Sequence, residues 1–353
     1  MTELNDPAAD CTSCPRDCHV ARAQGELGYC QTGGDFSVGS ICIHRGEEPV
    51  IGGTKGICNI FFTRCNLQCV YCQNYQISRN SGEIIEHRLS LAETVSRVNR
   101  ILDTGVSSVG FVSPSHVIPQ VKAIIRALSS ELTAKARRMQ GTKFSGAQPS
   151  SVVAVNSEAI PAVSSSATSA PQRFSSSSRP TFIFNTNAYD KVETIRSLEG
   201  MLDVYLPDLK YMSRDLAARF SGAPNYPEAA TTAIKEMYRQ KGAEILLDDE
   251  GVIRSGLIIR HLVLPGQVED SKRCLRWIAE QLSPSVHVSV LAQYKATPLV
   301  ADDPELGRPL RKDEYAAVLD ELESLGFKNG WTQELSSSDS YAPDFARTHP
   351  FER

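Results

Sequence analysis

From residue 58 onward the chain alternates short apolar runs with amphipathic segments, and no other feature restricts its fold as much. ICNIFFT (57–63), SVGFVS (108–113), TFIFNT (181–186), DVYLPDL (203–209), GLIIRHLVLP (256–265) and HVSVLA (287–292) read as strands. Near-continuous apolar strands are buried on both faces, which requires helices on both sides of a parallel sheet. The intervening segments supply those helices. Ser90-Leu-Ala-Glu93 is a capping box: the hydroxyl accepts from the amide three residues on, and the carboxylate reaches back. Leu91, Val95, Val98 and Leu102 then keep helical spacing, and Gly105 stops the segment. A second helix follows from about Val117, with others near 191–198, 227–241 and 270–282. Six such units suit an open or partial barrel, or a doubly wound sheet.

Residues 129–180 break the rhythm. This stretch includes SSSATSAPQRFSSSSRP and has few large apolar residues, so burial cannot offset its ordering entropy. Most of it reads as a disordered insertion between the second helix and the third strand. Helix-to-strand loops lie on the N-terminal face of a parallel barrel, so the insertion is expected away from an active site on the opposite face. The chain then divides into a cysteine-rich region (1–57), the α/β body (58–330) and a C-terminal tail (331–353).

Composition narrows the function. Of 353 residues, 41% are apolar and 22% charged, which suits a soluble globular protein. The net charge of −4 and a pI of about 6.0 give no basic face for general nucleic-acid or anionic-membrane binding. MTELNDPAAD has neither the basic start nor the apolar core of an export signal, and no run is long enough to span a membrane. A cytoplasmic location is the expectation. Of the ten cysteines, nine fall in the first 72 residues. Clustered thiols in such a chain point to metal rather than to a disulfide framework.

CNLQCVYC (65–72) sets Cys65, Cys69 and Cys72 in a C-x3-C-x2-C pattern just after the first strand. That is the catalytic end of a parallel barrel. Three thiolates on one tight loop grip three corners of a cubane 4Fe–4S cluster and leave the fourth iron for an outside ligand. A zinc site would need a fourth protein ligand from elsewhere. Cys11, Cys14, Cys18 and Cys30, spaced C-x2-C-x3-C-x11-C, form a complete set of four and fit a closed site holding zinc or a second 4Fe–4S cluster. Cys42, Cys58 and Cys274 read as small buried hydrophobes.

The motif, with Tyr71 before its last cysteine, resembles the signature of radical S-adenosylmethionine (SAM) enzymes. The wider chain resembles uncharacterised iron–sulfur proteins related to pyruvate formate-lyase activating enzyme. That likeness runs through HRGEEPVIGG (44–53), IFFTRCNLQCVYCQNYQIS (60–78), FVSPSH (111–116), FNTNAYD (184–190), DVYLPDLKYMS (203–213) and RHLVLPG (260–266). It implies a partial (β/α)6 TIM-like barrel with SAM bound across its open end. It also implies reductive cleavage of SAM to a 5′-deoxyadenosyl radical, a one-electron donor such as flavodoxin or ferredoxin, and a glycyl radical enzyme as partner. Related radical SAM families carry an element similar to the N-terminal CxxCPxxC.

The resemblance places Asp208, Lys210 and Arg260 at SAM-contacting positions. Independently, Asp208 and Lys210 lie two apart and face one side of their strand. Arg260 interrupts an apolar run, and a buried guanidinium needs an anion: SAM's carboxylate or an internal bridge to Asp208. Asn185 and Asn187 stand where the activating enzymes carry a DTNG-type turn, or simply form a polar strand end. Where many radical SAM enzymes have a glycine-glycine-glutamate segment, this chain has Ser113-Pro114-Ser115-His116. Ser113 and Ser115 offer acceptors to SAM's ammonium, and His116 reads as a proton donor or a loop residue. Tyr71 packs near the adenine or shields the cluster. The competing functions are a radical SAM enzyme acting on a small molecule or peptide, an iron–sulfur electron carrier, and a zinc-binding module.

Overall fold

The computed structural model describes residues 9–141, 179–336 and 343–352. Strand β1 (Phe36–His44) and the short helix α1 (Pro49–Gly52) lead into β2 (Ile57–Phe62), all six of whose residues are buried. There follow α2 (Tyr75–Ser78), β3 (His87–Leu89), α3 (Leu91–Leu102), β4 (Ser108–Val112), α4 (Ile118–Gly141), β5 (Thr181–Thr186), α5 (Val192–Arg196) and β6 (Val204–Pro207). The rest comprises α6 (Arg214–Ser221), α7 (Tyr226–Lys241), β7 (Leu246–Leu247), β8 (Ile253–Leu262), α8 (Val268–Gln281), β9 (His287–Leu291), α9 (Lys312–Ser324) and β10 (Gly330–Thr332).

The sheet runs β10-β9-β8-β6-β5-β4-β2-β1-β3, and β7 pairs with β8. From β2 to β10 neighbouring strands along this path are parallel, whereas β1 lies antiparallel to both β2 and β3. The two ends of the sheet do not pair, so the barrel is partial. All six expected strands are present. β10 adds a seventh parallel strand, too short to register as a periodic run.

Two apolar clusters show how the sheet is filled. The large one joins Val109, Phe182, Phe184, Tyr205 and Ile259 to helix residues such as Val95, Val121, Ile234 and Ile278, and is the convex layer. The small one gathers Ile57, Ile183, Val204 and Ile258 from four strands around Ile51 of α1. It holds no residue of the long helices, so it fills the concave side, with α1 as its plug. The expected capping box opens α3, with Glu93 N–H donating to Ser90 Oγ at 3.2 Å and Ser90 N–H to Glu93 Oε2 at 2.7 Å.

Three expected boundaries move. The division at residue 57 falls between two paired strands, since His44 sits opposite Ile57 in the β1–β2 ladder. Helix α4 continues through Gly141, because the Ser-rich composition begins only beyond it; residues 142–178 of the expected insertion lie outside the described residues. The C-terminal stretch is more than a tail. β10 joins the sheet, and Phe345 and Phe351 each pack against Phe61 with ring centroids 5.4 Å apart. Among the described residues no helix is long and apolar enough to cross a membrane.

Candidate active site

The C-terminal ends of the parallel strands surround a cavity of about 410 Å³. Every parallel strand contributes to its wall: Cys65 beyond β2, Ser113 beyond β4, Asn185 in β5, Asp208 beyond β6, Arg260 in β8, Leu291 in β9 and Thr332 in β10. A strand end is where side chains that alternate along a buried sheet meet open space.

Cys65, Cys69 and Cys72 all face this cavity. Arg64, in the left-handed region at φ 66°, turns the chain off β2 into the loop. Polar hydrogens converge on the sulfurs. Leu67 N–H and Asn187 Nδ2 each approach Cys65 Sγ at 3.4 Å, Ser78 Oγ donates to Cys72 Sγ at 3.3 Å, and Ser221 Oγ lies 2.9 Å from Cys69 Sγ. Burial pushes the free Cys65 and Cys69 thiols up, whereas a coordinating metal would deprotonate them outright. Among the described residues no group of three or more His, Cys, Asp or Glu side chains is arranged to hold a single metal ion. A cubane differs from an ion in this respect, since each of its thiolates sits on its own iron.

The charged wall departs from expectation at Arg260. Its Nε donates to Glu48 Oε1 at 2.8 Å, and its Nη2 reaches both Glu47 and Glu48. The expected bridge to Asp208 is not formed by the side chains: the two residues meet through the backbone, as Leu209 N–H donates to the Arg260 carbonyl at 2.9 Å. Asp208 instead accepts from Lys210 Nζ at 2.7 Å. Burial draws the Lys210 ammonium down, but Asp208 and the nearby Cys69 and Cys72 together hold it above its ordinary value. Burial likewise drives the Glu47 carboxyl up, and Arg260 with His44 overcomes this and holds it well below the usual range. Asn59 Nδ2 adds a hydrogen bond to Glu47 at 2.7 Å. Sequence reasoning missed Glu47, Glu48 and Asn59. The one signal was the acidic pair within HRGEEPVIGG.

Of the remaining expected site residues, Tyr71, Ser113, Asn185 and Asn187 line the cavity. Ser113 does so from a left-handed turn at φ 53°. Ser115 does not: its hydroxyl bonds Thr186 inside the protein at 2.9 Å. His116 is buried, with Nε2 on the Thr63 carbonyl at 2.9 Å, which makes it a loop-fixing residue. Tyr71 is hydrogen-bonded to Tyr211, whose hydroxyl in turn lies 3.0 Å from Ser221 Oγ. Cys42, Cys58 and Cys274 are buried apart from the cavity, as expected of small hydrophobes.

The N-terminal cysteines pack behind this loop. Arg16 ties them there, its Nε donating to the Asn66 carbonyl and its Nη1 to that of Gly222, both at 2.8 Å. Cys11, Cys14 and Cys30 are buried, Cys18 is half-buried, and none is in a disulfide. Burial pushes the Cys14 thiol up to about 12, and the nearby Cys30, Cys11 and Cys18 add to the shift.

No protein-family model matches the chain. A protein of Methanocaldococcus jannaschii, described as uncharacterized, is 25% identical over 319 residues, covering 88% of this chain and 73% of that protein. Among solved structures, a domain of pyruvate-formate lyase-activating enzyme from Bacteroides vulgatus aligns with 44% of this chain and 82% of its own, at 15% identity and a TM-score of 0.32. SuiB of Streptococcus suis bound to S-adenosylmethionine covers 77% of this chain at 11% identity and a TM-score of 0.44. SuiB bound to precursor peptide SuiA gives 80%, 12% and 0.44, and the chain spans about half the length of SuiB, 48% and 50% in the two structures. The structure thus places the C-x3-C-x2-C loop, which resembles the radical SAM signature in sequence, at the mouth of a partial parallel barrel.

Proposed function

We propose that the chain is a radical SAM enzyme, with a 4Fe–4S cluster on Cys65, Cys69 and Cys72 and SAM in the adjoining cavity. One observation carries the reading: three thiols on a single loop share a cavity with Asn185, Asp208, Lys210 and Arg260. When bound, the reduced cluster supplies the electron that splits SAM into methionine and a 5′-deoxyadenosyl radical, which takes hydrogen from the substrate.

The chain's own residues bind and orient. Cys65, Cys69 and Cys72 would hold the cluster through three thiolates, and the cavity wall would orient SAM's amino and carboxylate groups beside it. Lys210 is the cation assigned to that carboxylate, because it meets a single carboxylate, Asp208, whereas Arg260 is held by two, Glu47 and Glu48. Asp208 and the Ser113 hydroxyl are the acceptors assigned to the N–H groups of SAM's amino group. Arg260 and its two carboxylates form a rigid wall on the far side. Tyr71 and Tyr211, both buried, keep water from the back of the cluster.

The resemblance of these segments to iron–sulfur proteins related to pyruvate formate-lyase activating enzyme extends the proposal to a substrate: a glycyl residue of a partner protein, with flavodoxin or ferredoxin as electron donor. The test is anaerobic reconstitution with iron and sulfide, then SAM and dithionite, with chromatography of the products. 5′-Deoxyadenosine should form and should vanish in Cys65→Ala, Cys69→Ala and Cys72→Ala alike. Its formation by any of the three variants at the parent's rate would overturn the assignment. A glycyl radical signal on an added partner would support the activase reading, and 5′-deoxyadenosine that rises only with a peptide or small molecule would replace it.

A further inference from the structure

We propose that His44 holds the substrate against the Glu47–Arg260 wall of the cavity. Its Nε2 accepts a hydrogen bond from an N–H or O–H of the substrate, and Glu47 sets the ring for that contact. The proposal rests on the radical SAM reading for the reaction served. In the glycyl form of that reading, the donor is the backbone amide of the glycyl residue.

His44 ends β1 and lines the same cavity as Lys210 and the three thiols. Its ring is gripped from three directions. Nδ1 lies 3.1 Å from Glu47 Oε1, Phe351 packs on the ring with centroids 4.2 Å apart, and Phe61 meets it edge-on at 6.4 Å. Nε2 has no partner among the described residues. The side chain keeps 12% of its surface exposed. His116 and His261 differ: each leaves an unpartnered nitrogen sealed inside the protein, as a core histidine does.

Glu47 decides which nitrogen carries the proton. Its carboxylate receives Asn59 Nδ2 at 2.7 Å and pairs with Arg260, so it is ionised and can only accept. Nδ1 must therefore donate, which leaves Nε2 of the neutral ring with a lone pair. Asn59 Nδ2 also approaches His44 Nδ1, but at 3.5 Å, too long to compete with its bond to Glu47. The β1–β2 register brings these groups together. Asn59 stands opposite Cys42 and Ile57 opposite His44, so His44 and Asn59 are diagonal neighbours on one face of the ladder. Arg260, Glu47 and Glu48 are engaged with one another, which leaves His44 as that wall's hydrogen-bonding group toward a substrate.

The test treats the full reconstituted chain with diethyl pyrocarbonate, which acylates an unprotonated imidazole nitrogen, and reads each histidine by peptide mass spectrometry. His44 should be labelled, and the buried His116 and His261 should not. An unlabelled His44 would overturn the proposal. Labelling should persist with SAM bound; protection by SAM alone would assign the nitrogen to SAM and overturn the substrate role. A glycine-centred peptide added with SAM should then protect His44, and no protection would overturn the amide assignment. Glu47→Gln tests the positioning role. It removes the charge that makes Nε2 nucleophilic, so labelling should slow several-fold. A Glu47 that merely packed the ring would free it when lost and speed labelling, which would overturn the pairing. The arms on the natural chain stand even if this variant does not fold. No arm needs SAM cleavage, so 5′-deoxyadenosine measured in the same samples reports separately on the radical SAM reading.

Discussion

Arg260→Met removes the one cation that Glu47 and Glu48 share in a buried wall, where Arg260 is 9% exposed and Glu48 7%. Breaking a buried pair from one side costs about 3–5 kcal/mol, and here two carboxylates are stranded rather than one. The upper part of that range is expected at neutral pH, a fall in Tm of roughly 5–7 °C for a chain of this size. The pH dependence supplies a second reading. In the parent, burial raises Glu47 and Arg260 more than reverses it, so the carboxylate contributes stability above the ordinary carboxyl range that is lost on acidification. In the variant burial wins, the folded pKa of Glu47 rises above the unfolded one, and stability is lost as pH rises through it. Urea unfolding followed by circular dichroism between pH 5 and 8 checks both the size and the sign. Adding Glu47→Gln and Glu48→Gln should restore most of the loss, because no buried charge remains. A loss below about 1 kcal/mol in Arg260→Met, or no rescue by the two glutamines, would refute the reasoning.

Other consequences are as direct. Gly110→Ala should destabilise by about 1–3 kcal/mol, because a Cβ there would meet Asn59 Oδ1 at 2.1 Å and displace the side chain that holds Glu47; a thermal midpoint equal to the parent's would contradict the contact. Burial brings the His116 and His261 imidazoles down from 6.5 to about 4 and the Asp190 carboxyl up from 3.8 to about 6. From pH 6 to 4 the unfolded chain therefore binds two more protons at the histidines and one fewer at Asp190, so stability falls by roughly 1.4 kcal/mol per pH unit, and a urea midpoint that stays level or rises would exclude this. Ser221→Ala removes the hydroxyl 2.9 Å from Cys69 Sγ and should shift the midpoint potential of the proposed cavity cluster to more negative values with its iron content intact; a potential equal to the parent's in a spectroelectrochemical titration would show that the hydroxyl has no such tuning role.

The sequence by itself determined the elements whose signals are local. A strand buried on both faces must be apolar throughout, so β2, β4, β5, β6, β8 and β9 were legible, as was the Ser90–Glu93 cap that depends on residues three apart. The three-thiol loop was legible for the same reason: Cys65, Cys69 and Cys72 are neighbours in the chain before they are neighbours in space. Strand β1 was not, since FSVGSICIH mixes glycine and serine into a partly buried run that becomes a strand only by pairing with β2. The partners of Arg260 were not legible either. Its need for an anion followed from one apolar run, but Glu48 lies 212 residues away, and Asp208 was the nearer candidate in sequence. Only the sheet order could choose between them, because it aims the Arg260 side chain at the Glu47–Glu48 turn and leaves Asp208 to Lys210. Which charge a buried group needs is set by its own desolvation; which residue supplies it is set by the strands that the fold brings side by side.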